Sequence, residues 1–248
     1  MIKAVVFDLD DTLISEEDYI RSGYRAVAKA LREKRTQIWG TKMGDPATHR
    51  AEAVPVVEII AKELFDLYRE DSAMVFNRFL DRYGVIYDKE QILELVGIYR
   101  GHLPEVDFFS DVQPVLKRLR EKGIRTGIIS DGYTITQENK VKILGLEKLV
   151  DHVILTDRLG RDYWKPDIRS FCLMAQTLGV SLEEMMYVGD NPTKDFHPKT
   201  QLPITTVRIH RPAAVYARAE YRDGVREDHS IDSLYELEGL LEKNEKRT

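Results

Sequence analysis

Apolar residues come in two rhythms along this chain. Ile2 to Leu9 is a nearly continuous apolar run, broken only by Lys3 and Asp8, and reads as a buried strand. From there to about residue 106 strand signals are weak. Ile20, Tyr24, Val27 and Leu31 recur at helical spacing and predict one apolar face of a long helix. The pattern breaks from Thr36 to Thr48, where Gly40, Gly44 and Pro46 stand, and Pro55 suits the first turn of a second helix. Further helices are predicted over Ser72 to Arg82 and over Lys89 to Tyr99, the latter with Asp88 as its cap.

Beyond residue 106 strands and helices alternate. Asp111 is placed to cap a helix with the stripe Val112, Val115, Leu116 and Leu119, and Gly123 ends it. Strands are predicted over Ile124 to Ser130, Val153 to Leu155, Met185 to Val188 and Thr205 to Ile209. Helices are predicted over Thr136 to Leu144 and Asp167 to Leu178, each stopped by a glycine, and over Ser233 to Glu242. Ser181 and Glu184 have capping-box spacing. Alternation of this kind implies an α/β fold, a three-layer Rossmann-like parallel sheet with right-handed crossovers and an inserted α-helical domain. The expected division is a core of residues 1–14 and 106–248 and a helical insertion of residues 15–105.

Composition narrows the function classes. With 43% hydrophobic and 32% charged residues over 248 positions, a soluble globular protein with a sizeable core is expected. A net charge of −5 speaks against a nucleic-acid partner. No apolar run reaches the roughly 20 residues of a membrane span, so no membrane partner is expected. The first residues lack the basic-then-apolar layout of a signal peptide, and a cytoplasmic location is expected. Cys172, the single cysteine, lies among Phe171, Leu173 and Met174 and reads as a small buried apolar residue.

The chemistry collects where ligands bind an open parallel sheet, beyond the carboxyl ends of its strands. The first strand runs into Asp8 and Asp10, the second ends in Ser130-Asp131-Gly132, Lys165 follows the third, and Asp190 and Asp195 follow the fourth. Several carboxylates at one spot stay ionised together only beside a cation. Oxygen ligands suit magnesium, and a lysine and a hydroxyl beside such an ion form a site for a phosphoryl group. Asp11 reads as a solvated turn residue.

Four segments in this order resemble the motifs of the haloacid dehalogenase superfamily: Asp8-Leu9-Asp10-Asp11-Thr12, Ile128-Ile129-Ser130, Lys165-Pro166-Asp167 and Gly189-Asp190-Asn191-Pro192-Thr193-Lys194-Asp195. The insertion sits where that superfamily places a helical C1 cap. The resemblance implies a magnesium-dependent phosphatase acting on a small phosphorylated metabolite of the sugar phosphate, phosphoglycolate or nucleotide class. It implies that Asp8 attacks phosphorus, that Asp10 is the acid and then the base, and that Lys165 offsets charge. Ser130 would bind the phosphoryl group with Lys165, helped by the backbone N–H groups after Asp8 and after Ser130, the latter being that of Asp131. Asp8, Asp10 through its carbonyl, Asp190 and Asp195 would hold Mg2+. Arg21, Tyr24 and Arg50 are candidate cap contacts, with Trp39 and His49 beside them. Two alternatives share this fold. Dehalogenases lack the second aspartate that Asp10 supplies, and phosphomutases of the β-phosphoglucomutase type carry Gly-Val where this chain has Asp11-Thr12. Oligomeric state is unreadable from the sequence.

Overall fold

In the computed structural model, which describes residues 1–33 and 56–245, the chain divides into two compact units. One comprises Met1–Glu17 and Val106–Thr248, the other Asp18–Glu105.

The first unit is built on six parallel strands in the order β3-β2-β1-β4-β5-β6. They are β1 (Ala4–Phe7), β2 (Arg125–Ser130), β3 (His152–Leu155), β4 (Met185–Gly189), β5 (Thr205–Ile209) and β6 (His229–Ile231). Every residue of β1 is buried, as expected of a central strand covered on both faces. It lies between β2 and β4, with Phe7 beside Ile128 on one side and Val188 on the other. This register aligns the carboxyl ends of the three strands, so Asp8, Ser130 and Asp190 emerge side by side.

On one sheet face Ala4, Val6, Ile129 and Tyr187 pack with Phe171, Met174, Ala175 and Leu178. These last four belong to helix α7 (Arg169–Leu178). Helix α5 (Val112–Glu121) buries the predicted stripe Val112, Val115, Leu116 and Leu119. Helix α6 (Thr134–Leu144) follows β2 and ends at Gly145, and α8 (Leu237–Glu245) closes the described chain. The capping box of Ser181 and Glu184 is present.

Three sequence expectations need correction here. Asp111 stands at the start of α5 without capping it; its carboxylate accepts instead from Arg211 (two bonds of 2.9 Å), Ser233 and Leu234. Cys172 points out from α7 and is exposed, because the buried stripe of that helix runs through its neighbours Phe171 and Met174. Strand β6 is absent from the sequence reading, since three residues, His229-Ser230-Ile231, give too short a pattern to register.

The second unit holds α1 (Glu16–Glu33, from Asp18 on), α2 (Val56–Glu70), α3 (Val75–Arg82) and α4 (Lys89–Gly101). Asp88 forms a capping box with Gln91 at the start of α4. Tyr24 lies at the centre of an aromatic cluster, its ring 5.2 Å from Tyr99 and 6.1 Å from both Tyr68 and Phe76. It is buried core, so the expected ligand contact at Tyr24 is replaced by packing. Arg21 lays its guanidinium 3.7 Å from the centre of the Phe65 ring. Arg50, with Trp39, His49 and Pro55, lies outside the described residues. No helix among the described residues is long and apolar enough to cross a membrane.

Candidate active site

The loop after β1 is fixed from within. Leu9 carbonyl accepts from Leu13 at 2.9 Å, and Asp11 takes a left-handed conformation with φ of 50°. Asp11 is buried rather than solvated, because its carboxylate accepts from the N–H groups of Glu16 (2.9 Å) and Val215 (2.7 Å). Burial pushes its carboxyl up, against those two bonds. The side chain thus ties the β1 loop to the start of α1 and to the loop after β5.

Asp8 follows the last residue of β1, and its N–H donates to Val188 carbonyl at 2.8 Å. One of its oxygens accepts from Lys165 Nζ at 2.7 Å. Burial lifts Asp8 to about 6; Lys165 opposes that rise and Asp195 adds to it. Lys165 also donates to Tyr187 Oη at 2.7 Å and lies 2.9 Å from Asp195 Oδ1. Although burial lowers its pKa, the carboxylates of Asp195, Asp8 and Asp131 hold the ammonium firmly charged.

Asp195 is fully buried. Its Oδ1 accepts from Tyr187 as well as facing Lys165, and its Oδ2 accepts from Asn191 N–H at 2.9 Å. A Cβ at Gly189 would stand 2.5 Å from that same Oδ2, which is why glycine ends β4. Asp190 is different. Its Oδ2 is buried with no hydrogen-bond partner, and burial followed by the charges of Asp195 and Asp8 pushes its carboxyl well up.

Ser130 Oγ, at the end of β2, is likewise buried and unpartnered. The Asp131 side chain is engaged within the protein, so the phosphate contact expected of this residue falls to its backbone N–H. Its carboxylate accepts from Thr156 Oγ1 (2.8 Å), Lys165 N–H (3.1 Å) and Lys194 Nζ (3.0 Å). Burial opposes its ionisation, but Lys165 and Lys194 outweigh it and hold the carboxyl low. So engaged, the carboxylate positions the Lys165 backbone and the Lys194 ammonium.

A cavity of about 170 Å³ opens at this end of the sheet. Asp8, Asp10, Glu16, Asp131 and Asp190 line it, with Gly132, Trp164, Asn191, Lys194 and Tyr216. Five carboxylates against one ammonium make the lining strongly acidic. Burial and then the charge of Asp10 raise Glu16 to about 7. Asp8, Asp190 and Asp195 each offer an oxygen within 4.8 Å of the others. The unpartnered Asp190 oxygen, the all-oxygen donor set and the excess of negative charge fit a hard divalent cation. A larger cavity of about 360 Å³ lies between α6 and the β3 edge, lined by Glu138, Lys142 and Arg158 among others. None of its charged lining residues is buried, and Arg158 is paired with Glu138.

Sequence reasoning passed over Lys194, Gln137 and Lys140. Lys194 belongs to the fourth motif, but no local pattern shows that its ammonium reaches Asp131. Gln137 and Lys140 look like ordinary polar helix residues, and nothing local marks them as buried.

A family profile for haloacid dehalogenase-like hydrolases matches residues 2–196. The chain is 29% identical over 253 residues to the glyceraldehyde 3-phosphate phosphatase of Methanocaldococcus jannaschii, covering 100% of both chains. The crystal structure of a HAD phosphatase from Thermococcus onnurineus superposes with a TM-score of 0.57 at 25% identity, covering 97% of this chain and 98% of that one. That of a 2-haloacid dehalogenase from Pseudomonas syringae gives 0.61 at 24% identity, covering 98% and 99%, and shares the fold.

Proposed function

The chain belongs to the haloacid dehalogenase-like hydrolase family, and we propose that it hydrolyses a small phosphomonoester through an aspartyl-phosphate on Asp8. The observation that carries this proposal is the pairing of Asp8 with Asp10 on the wall of one acidic cavity that also holds Lys194 and Asp190. A dehalogenase attacking carbon would have no use for Asp10, since a halide leaves without a proton.

Asp8 has one oxygen held by Lys165, which leaves the other to attack phosphorus. As the new O–P bond forms, the bond from phosphorus to the alkoxide breaks, and Asp10 gives that oxygen its proton. Asp10, now a carboxylate, takes a proton from water; the water oxygen attacks phosphorus and the Asp8–phosphorus bond breaks, releasing orthophosphate. Ser130 Oγ, free of protein partners, donates to a phosphoryl oxygen. Lys165 and Lys194 offset the charge of the phosphorylated state. Asp8, the carbonyl of Asp10 and Asp190 would hold Mg2+, which when bound neutralises phosphoryl charge. Both Asp195 oxygens already accept bonds, which favours contact with that ion through water. Residues 15–105, which contain the compact unit Asp18–Glu105, are read as the cap. The relative from M. jannaschii makes a triose phosphate the first substrate to try.

Phosphate release from an aryl phosphate tests this, with and without Mg2+, in wild type and Asp8→Asn. Magnesium-dependent release that falls by at least about 10³-fold in the variant is expected, as for loss of a covalent nucleophile. Undiminished release from Asp8→Asn would refute the nucleophile.

A further inference from the structure

Asp10 does not rest free in the cavity. Lys140 Nζ donates to its Oδ1 at 2.6 Å, and Gln137 Nε2 donates to its Oδ2 at 2.8 Å. Both donors come from α6, at i and i+3, so they share one face of the helix. Both are 2% exposed, whereas the Asp10 carboxylate retains 17% exposure towards the cavity. The Gln137 amide also donates to Asp131 carbonyl at 2.6 Å. Two acceptors flank that end of the amide, so its orientation is settled by chemistry: the NH₂ must face them. Gly132 makes room for it, because a Cβ there would lie 2.7 Å from Gln137 Nε2.

A buried ammonium is costly unless its charge is met, and Lys140 meets Asp10 from 130 residues away in sequence. A helix needs no such lysine for its own stability. Its effect falls on the carboxylate, each oxygen of which keeps a lone pair for the cavity while the other is fixed to α6.

We infer that Gln137 and Lys140 are positioning residues that hold the Asp10 carboxylate at the angle and distance its proton transfer requires. This rests on the phosphatase assignment, in which Asp10 protonates the departing oxygen. Geometry matters here because displacing a reacting group by about 1 Å costs on the order of 10²-fold in rate. The α6 helix begins four residues after Ser130, so one stretch of chain supplies both the phosphate-side hydroxyl and the clamp on the acid.

The test compares kcat/KM for two esters in wild type, Lys140→Met, Lys140→Arg and Gln137→Leu. One ester is p-nitrophenyl phosphate, whose leaving group is a stable anion. The other is an alkyl phosphate, glyceraldehyde 3-phosphate being tried first, whose alkoxide needs a proton as it leaves. This ratio covers the steps up to leaving-group departure and is insensitive to later hydrolysis of the intermediate. In Lys140→Met and Gln137→Leu, kcat/KM should fall at least about 30-fold further for the alkyl ester than for the aryl ester, within the range a positioned acid contributes. Lys140→Arg should recover part of the loss. An equal fall for both esters, or none, overturns the inference, since a merely structural lysine lowers the two together. If Lys140→Met does not fold, Gln137→Leu is judged by the same criterion. Wild type inert towards both esters would instead refute the phosphatase assignment, and the inference with it.

Discussion

Gly189 and Gly127 make a matched pair for substitution. A Cβ at Gly127 would meet Met174 Sδ at 2.6 Å, the far end of a flexible side chain that can turn away. At Gly189 it would meet the Asp195 carboxylate, pinned between Tyr187, Lys165 and Asn191. Gly189→Ala is therefore expected to cost about 1–3 kcal/mol in a denaturant titration, the usual range for overpacking, and to cut phosphate release sharply. Gly127→Ala should cost less and keep its activity; equal losses at both positions would contradict the picture of a rigid Asp195. At this scale the sequence was most legible where a residue announces itself by position. Asp8, Ser130 and Asp190 stand at strand ends, and the sheet register brings them together. Lys140 was illegible because its burial depends on a partner 130 positions distant. Asp11 misled for the same reason, its carboxylate being consumed by Val215.

Among the elements, the start of α5 depends on an ion pair that no local pattern predicts. Asp111 and Arg211 are both buried, and Arg211 also donates twice to Thr12 carbonyl. The cluster thereby joins the β1 loop, α5, the loop after β5 and the turn at Leu234. Asp111→Ala should destabilise the protein by about 3–5 kcal/mol, as for a buried pair deprived of one partner. Burial alone would raise the Asp111 carboxyl, but Arg211, Leu234 and Ser233 hold it below the ordinary carboxylate value. A depressed folded pKa gives stability that is whole above the unfolded value of about 4 and lost as pH falls through the folded one. Unfolding midpoints of wild type and Asp111→Asn should thus lie furthest apart above pH 5 and converge in more acid solution. A gap that stays constant to low pH would show that the charge contributes nothing. The helices themselves were readable from their stripes and glycine stops, with the starts of α6 and α7 displaced by two residues where no cap fixes them.

For the molecule as a whole, a divalent ion held in the acidic cavity would make metal and stability interdependent. An ion that binds the folded chain and not the unfolded one stabilises it by about 2.7 kcal/mol at a hundred times its Kd. Adding Mg2+ should raise the thermal midpoint of wild type, and chelation should abolish turnover. Asp190→Ala, lacking the unpartnered oxygen, should show no midpoint rise; an unchanged response would place the ion elsewhere. Fold class was legible from the alternation of strands and helices, while strand order was not, because register between distant segments leaves no mark in a local pattern. That order has a consequence during synthesis. The earliest of the sheet's six strands in chain order is central, and its neighbour β4 is completed only at Gly189. At roughly 5–20 residues per second, the ribosome leaves Ala4–Phe7 with one bare edge for about 10–40 s. A nascent chain truncated before β4 therefore presents an apolar strand edge to solvent, a natural target for chaperones and a seed for aggregation.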